Sequence, residues 1–319
     1  MGYDLYITSD KPAPHGTKRL RNALDRHPHI GSNDVMPSFS TYENMDTFVC
    51  FEFDMMPELG HDGPPKDHVR LTIPYFTPTA VIYEARALLE KLHAEVGIEL
   101  IDLQTDQEDW AVPDFDAIEE RYRKSAATAV QAMAKANPAA LPGKGRRVPR
   151  ALLDYAWQWN NARPQKVWHG KKHGRNMWVP LYEFVEIGGQ CFSYVNWFDG
   201  VSTLFPKTHL IGVTRNKYQH RSPGLFGRKR PSLIFVSPDA LQYIWDAHYQ
   251  TDPFWPDAIS PVVEGINGGQ DMFLERKLGQ DSITDVVYLD SDDYKRRDPK
   301  PWFRPRFWDL VDEELFLAI

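Results

Sequence analysis

Trp178-Val-Pro-Leu-Tyr-Glu-Phe-Val-Glu-Ile187, Gly188-Gly189, Gln190-Cys-Phe-Ser-Tyr-Val-Asn-Trp197, Phe198-Asp199-Gly200, Val201-Ser-Thr-Leu204 and His209-Leu-Ile-Gly-Val-Thr-Arg215 decide the fold of this chain. Aromatic and β-branched runs alternate with Gly-Gly and Asp-Gly, the pairs that supply positive φ in two-residue hairpin turns. The pattern predicts an antiparallel β-meander as the central sheet of a C-terminal domain, with flanking helices.

Working back from this sheet, the helix expected over Arg150–Asn161 carries Leu152, Leu153, Tyr155, Trp157 and Trp159 on nearly every side, as an element buried between layers does. Asn137–Pro149 holds three Pro and two Gly with Lys144, Arg146 and Arg147, and reads as a linker. Asp114–Asn137 has a thin apolar stripe and reads as a half-exposed bridging helix. Further upstream, Tyr3–Ile7, Phe39–Tyr42, Thr47–Phe53, Val69–Ile73 and Ile98–Leu103 alternate as strands. Thr77 and Pro78 suit the start of a helix whose stripe is Val81, Ile82, Ala85, Leu88, Leu89, Leu92 and Val96, with Gly97 as its stop. With a short helix near Leu20 and Leu24, the order is strand, helix, three strands, helix, strand. The expected architecture is α+β. An N-terminal ferredoxin-like α/β sandwich over 1–110 is followed by a bridging helix and linker over 111–149 and a C-terminal domain over 150–319. The tail from Phe303 to Ile319 carries Phe307, Leu310, Val311, Leu315 and Phe316 and is expected to dock.

At 319 residues with a net charge of −7, the chain has room for two cores. No apolar run approaches the roughly 20 residues of a membrane span. The opening lacks a basic and then apolar signal segment, so a cytoplasmic, membrane-free protein is expected. Cys50 and Cys191 sit in strand-like runs and read as small core hydrophobes rather than as a disulfide.

Charge is unevenly spread. Residues 1–150 hold 17 Lys and Arg against 23 Asp and Glu, whereas 151–319 hold 20 against 21. Glu43, Asp46, Glu52, Asp54, Glu58 and Asp62 follow one another with no Lys or Arg between them, and so do the acids from Glu99 to Asp116, among them Asp106, Glu108 and Asp109. These carboxylates suit a surface that steers and holds a cationic protein partner. In the second half, Lys207, Arg215, Lys217, Arg221, Arg228, Lys229 and Arg230 run without an acid. Lys166, Lys171, Lys172 and Arg175, read as a Gly-containing loop, offer an alternative site for phosphate or another anion and with it an enzymatic or nucleotide-handling role. Net negative charge fits direct nucleic-acid binding poorly.

Sequence signatures of catalysis are missing. No Gly-x-Gly-x-x-Gly, Walker loop or Gly-x-Ser-x-Gly elbow occurs. His169 and His173 stand four apart, but Gly170 and Gly174 argue against the helix that a zinc pair needs, and four cations surround them. The His27/His29 and His61/His68 pairs read as turn residues. No cofactor, metal or catalytic residue is implied.

The opening Gly2–Thr8, Val69–Tyr75, Phe76-Thr-Pro78 and the helix to Gly97 resemble the N-terminal module of uncharacterised two-domain bacterial cytoplasmic proteins. Val179-Pro180, Asn196–Gly200, Pro206 and Leu210–Arg215 resemble their second half. Some of these proteins look like immunity proteins encoded beside polymorphic secreted toxins. The resemblance implies an inhibitor that occludes the active site of a cognate toxin and has no catalysis of its own.

Overall fold

The structure, a computed structural model, describes residues 2–10, 15–32, 38–54, 68–105, 110–141, 146–198, 201–221, 229–236, 238–241, 249–261, 286–288, 302–303 and 305–316. It is mixed α+β with large, mainly antiparallel sheets. Two units emerge: Met1–Asp154 with Arg306–Ile319, and Tyr155–Pro305.

In the first unit, β1 (Gly2–Ser9), α1 (His15–Asp25), β2 (Ile30–Ser32), β3 (Phe39–Asn44), β4 (Val49–Asp54), β5 (Val69–Pro74), α2 (Val81–Val96) and β6 (Ile98–Asp102) build one antiparallel sheet. Its order is β2-β3-β4-β5-β1-β6, one strand more than the sequence pattern suggests. The core face is set by strict alternation: Tyr3, Leu5 and Ile7; Val49, Phe51 and Phe53; Val69, Leu71 and Ile73 are all buried. The apolar stripe of α2 packs on this face, and Gly97 ends the helix at φ 67 with its N–H on the His93 carbonyl.

Three buried carboxylates tie helices and sheet together. Glu84 of α2 accepts from the Tyr42 hydroxyl at 2.7 Å and from the Asn44 amide at 3.0 Å, both on β3. Asp102 of β6 accepts from the Tyr3 hydroxyl and from the Arg121 guanidinium at 2.7 Å, on α3 (Phe115–Ala136). The third, Asp312, lies in the short C-terminal strand Val311–Asp312, which pairs in parallel with β7 (Arg147–Val148). Its carboxylate accepts the Thr79 amide at 3.0 Å, the Thr79 hydroxyl, and the Arg150 guanidinium at 2.9 Å. Nearby, Glu314 takes the backbone N–H of Arg150, the first residue of α4 (Arg150–Lys172), at 2.9 and 3.1 Å. Both acids sit at helix N-termini, where free amides and the dipole favour negative charge.

Several expectations change here. α2 starts at Val81 rather than at Pro78, because Pro78–Ala80 form a tighter turn with bonds from Val81, Ile82 and Tyr83 to the carbonyls three residues back. Thr79, not Thr77, is the residue whose polar groups are engaged at this end. α3 lies wholly within the first unit, with Asp114 capping it through the Ala117 amide at 3.1 Å. The described tail returns to the first unit and buries Phe307, Leu310, Val311 and Leu315.

In the second unit, β8 (Tyr182–Ile187) and β9 (Gln190–Phe198) form the expected hairpin, with Gly188 at φ 58 and Gly189 at φ 81. The meander stops there. β10 (Phe205–Pro206) leaves the sheet to pair with β14 (Ala258–Pro261), which also pairs with β13 (Tyr249–Thr251). The chain therefore re-enters beside β9 in the same direction, and β9 and β11 (Leu210–Arg221) are parallel. β12 (Lys229–Val236), β15 (Val286–Tyr288) and β16 (Trp302–Phe303) complete a six-stranded sheet of order β15-β12-β11-β9-β8-β16. The Asp199-Gly200 turn lies outside the described residues. α4 is locked to the entry of β8: Asn160, fully buried, exchanges two bonds with the Tyr182 backbone, and Trp159 donates to the Pro180 carbonyl at 2.9 Å.

Asp312→Ala is expected to lower the stability of the first unit by about 3 kcal/mol, the scale of stripping one partner from a buried charge pair. Urea denaturation followed by hydrogen exchange in α2 and β7 measures it. A loss under about 1 kcal/mol would show that Thr79 and Arg150 are satisfied equally well by solvent.

Candidate functional site

The outward face of the first sheet gathers part of the acidic run. The register places Glu43 opposite Cys50, Thr41 opposite Glu52, and Glu52 opposite Thr72, which in turn faces Asp4. These side chains share the side of the sheet away from the core. Glu43 and Glu52 are exposed, and their carboxylates make no hydrogen bond or ion pair among the described residues. Between them, burial raises the Cys50 thiol pKa, and the fields of Glu43 and Glu52 raise it further. Cys50 is thus held as a neutral thiol flanked by two carboxylates.

At one end of this face the turn between β3 and β4 presents Met45 with 67% of its surface exposed. Phe48 closes the turn at φ 60, its N–H on the Asn44 carbonyl at 2.7 Å. A bulky residue held in the left-handed region costs on the order of 1 kcal/mol and persists only where the surroundings impose it. Asp46 sits in this turn, half-buried. Asp54 differs from its neighbours: it is buried and paired with Arg70 at 3.1 Å, so it contributes little free negative field. Glu58, Asp62, Asp106, Glu108 and Asp109 lie outside the described residues.

The second unit overturns the reading of 163–175 as a basic loop. α4 continues through Pro164 and Gly170 to Lys172, and the chain turns only at Gly174, φ 68. On a helix, residues 166, 171 and 172 point in widely different directions, so the four proposed anion ligands do not converge. Lys166 is buried, Lys171 is exposed, Lys172 reaches over the Trp168 ring at 5.0 Å, and Arg175 pairs with Asp252 at 2.7 Å.

Instead, one face of α4 collects Trp159, Lys166 and His169, with His173 just past the helix end, beneath the turn that links β13 to β14. The Lys166 ammonium stands 4.8 Å from the Trp159 ring centre and 5.4 Å from that of Trp255. His169 lies 4.2 Å from Phe254, 5.2 Å from Trp255 and 4.4 Å from His173, which stacks on Phe254. Asp252 holds the turn by accepting the amides of Phe254 and Trp255. Sequence reasoning missed Asp252, Phe254 and Trp255. Their signal was two adjacent aromatics in the Pro-flanked run Asp252–Asp257.

A Ser–His contact also occurs, between Ser193 Oγ and His209 Nδ1 at 2.9 Å. It does not read as a nucleophile. Ser193 is fully buried, its own N–H donates to the same Nδ1, and Tyr182 donates to its Oγ. The arrangement pins β9 to residues 208–209. Burial pushes the Cys191 thiol up to about 12, leaving it unreactive. His27 and His29 pack against Tyr42, and His68 packs against Tyr6, while His61 lies outside the described residues. Among the described residues no group of three or more His, Cys, Asp and Glu side chains is placed to hold a metal, and no helix is long and apolar enough to cross a membrane.

The imidazole of His169 is shifted toward the neutral form by burial, then by His173 and Lys172, with Asp252 opposing. A base whose pKa is depressed on folding contributes full stability above its unfolded value near 6.5 and loses it as pH falls from there toward the folded value. Hydrogen exchange at residues 252–258 should therefore quicken as pH is lowered through 6.5, after correction for intrinsic rates. His169→Gln should flatten that dependence; equal pH dependence in variant and parent would rule His169 out as its source.

No protein-family model, curated protein or solved structure matches this chain.

Proposed function

We propose that this protein is a cytoplasmic immunity protein that binds a cognate secreted toxin and neutralises it by occluding its active site. The observation that carries the reading is the pair of exposed, unpaired carboxylates Glu43 and Glu52 on one sheet face beside the protruding Met45. An apolar anchor with a charged rim is the anatomy of a protein interface, and unpaired surface carboxylates steer a basic partner toward it. In this reading β1, α1, β4, β5, α2 and β6 form a ferredoxin-like module extended by β2 and β3. Rigid antiparallel pairing on both sides of β4 holds the face in shape before the partner arrives, which spares the ordering cost of binding. The inhibitor acts by covering a site and needs no chemistry of its own.

The test uses the partner captured with the full-length chain from its native lysate. Glu43→Lys with Glu52→Lys should slow association about tenfold or more and weaken its dependence on salt. The core-facing side of β3 and β4 is untouched, so the double variant should fold normally. Unchanged affinity and unchanged salt dependence would exclude this face, and an unaltered toxin activity in the wild-type complex would exclude inhibition.

A further inference from the structure

We propose that the face of α4 beneath the β13–β14 turn binds a small oxyanion, a carboxylate or phosphate, between Lys166 and His169. This concerns the second unit and stands independently of the acidic face.

Lys166 is only 7% exposed and has no ion pair among the described residues. Its ammonium meets the rings of Trp159 and Trp255 instead. Indole faces attract a cation but offset only part of the loss of its hydration. One helical turn further on, the Nε2 atom of His169 is buried with no hydrogen-bond partner. Both groups lie against the Trp255 ring, Lys166 at 5.4 Å and His169 at 5.2 Å from its centre, and neither meets a hydrogen-bond acceptor among the described residues. The carboxylate of the covering turn does not fill that role. One oxygen of Asp252 is held by Arg175 at 2.7 Å, and the other by the amides of Phe254 at 2.9 Å and Trp255 at 3.2 Å. What the face lacks is an anionic acceptor small enough to fit against three aromatic rings.

Electrostatics set the pH dependence. The titratable and charged groups here are Lys166, His169 and Lys172 on α4, His173 and Arg175 beyond it, and Asp252 on the covering turn. Lys172 is engaged by Trp168, and Arg175 by Asp252. Burial lowers the pKa of Lys166 and is the first cause lowering that of His169. A bound anion favours the protonated form of both, so binding takes up protons and weakens as pH rises.

The experiment titrates the full-length chain with sodium phosphate and, separately, sodium acetate against sodium chloride of equal ionic strength, read by tryptophan fluorescence. At pH 6.0 a saturable response to one or both oxyanions is expected, identifying the class. Affinity should fall at least tenfold at pH 8.0, and at least tenfold in Lys166→Met. The paired Lys171→Ala and Lys172→Ala change should alter it less than twofold. Calorimetry of the unmodified chain in two buffers of different ionisation enthalpy should show proton uptake, a readout that survives if Lys166→Met fails to fold. Absence of a saturable response, an equal response to chloride, equal loss in the Lys171/Lys172 variant, or binding without proton uptake would each overturn the proposal.

Discussion

The first unit depends on one buried carboxylate. Asp312 lies near the C-terminal end of the chain, yet it satisfies the amide and hydroxyl of Thr79 at the start of α2 and the guanidinium of Arg150 at the start of α4. An isolated carboxylate buried this fully would cost several kcal/mol; with four-sided satisfaction from amide, hydroxyl, guanidinium and neighbouring helix dipoles it becomes a constraint instead. Glu314 repeats the device on the Arg150 amide, and Arg147 covers the Phe316 ring at 3.9 Å. Two helix starts and the tail are thereby closed through residues 162 to 233 positions apart.

The same logic separates carboxylates that hold the fold from those left over. Glu84, Asp102 and Asp312 are buried and each accepts two or more hydrogen bonds, and Asp54 is paired with Arg70. Glu43 and Glu52 have no such duty. A cluster of acids in sequence thus divides into structural and unassigned members only when strand register is known. The unassigned pair lies on a face whose inward side is fully committed to core, so that face tolerates change without loss of the fold.

Legibility followed the range of the interactions. α2 was readable because its stripe and its Gly97 stop are local, and the β8–β9 hairpin because Gly188-Gly189 encode its turn. Glu52 was readable as a strand residue of an acidic run, but Glu43 fell in the turn expected after Tyr42; it belongs to β3, and the face it shares with Glu52 needed the Glu43–Cys50 and Thr41–Glu52 register. The parallel pairing of β9 with β11 was not readable, because it is imposed by β10 pairing with β14 some fifty residues later. Nor was the length of α4. Pro164 and Gly170 weigh against helix locally, but Asn160, Trp159 and Arg163 anchor it to residues 179–182, and tertiary contacts outweigh propensity. That reading of a loop set Lys166 with Lys171, Lys172 and Arg175, whereas the helix sets Lys166 and His169 against Trp255.

The central functional claim is that the outward face of β3–β4 meets the partner. Hydrogen–deuterium exchange of the chain alone and in complex with the captured partner tests it most directly. The account predicts new protection concentrated at residues 41–52, including the Asn44–Phe48 turn, with little change along α4. Protection confined to the second unit, with 41–52 exchanging as in the free chain, would contradict it.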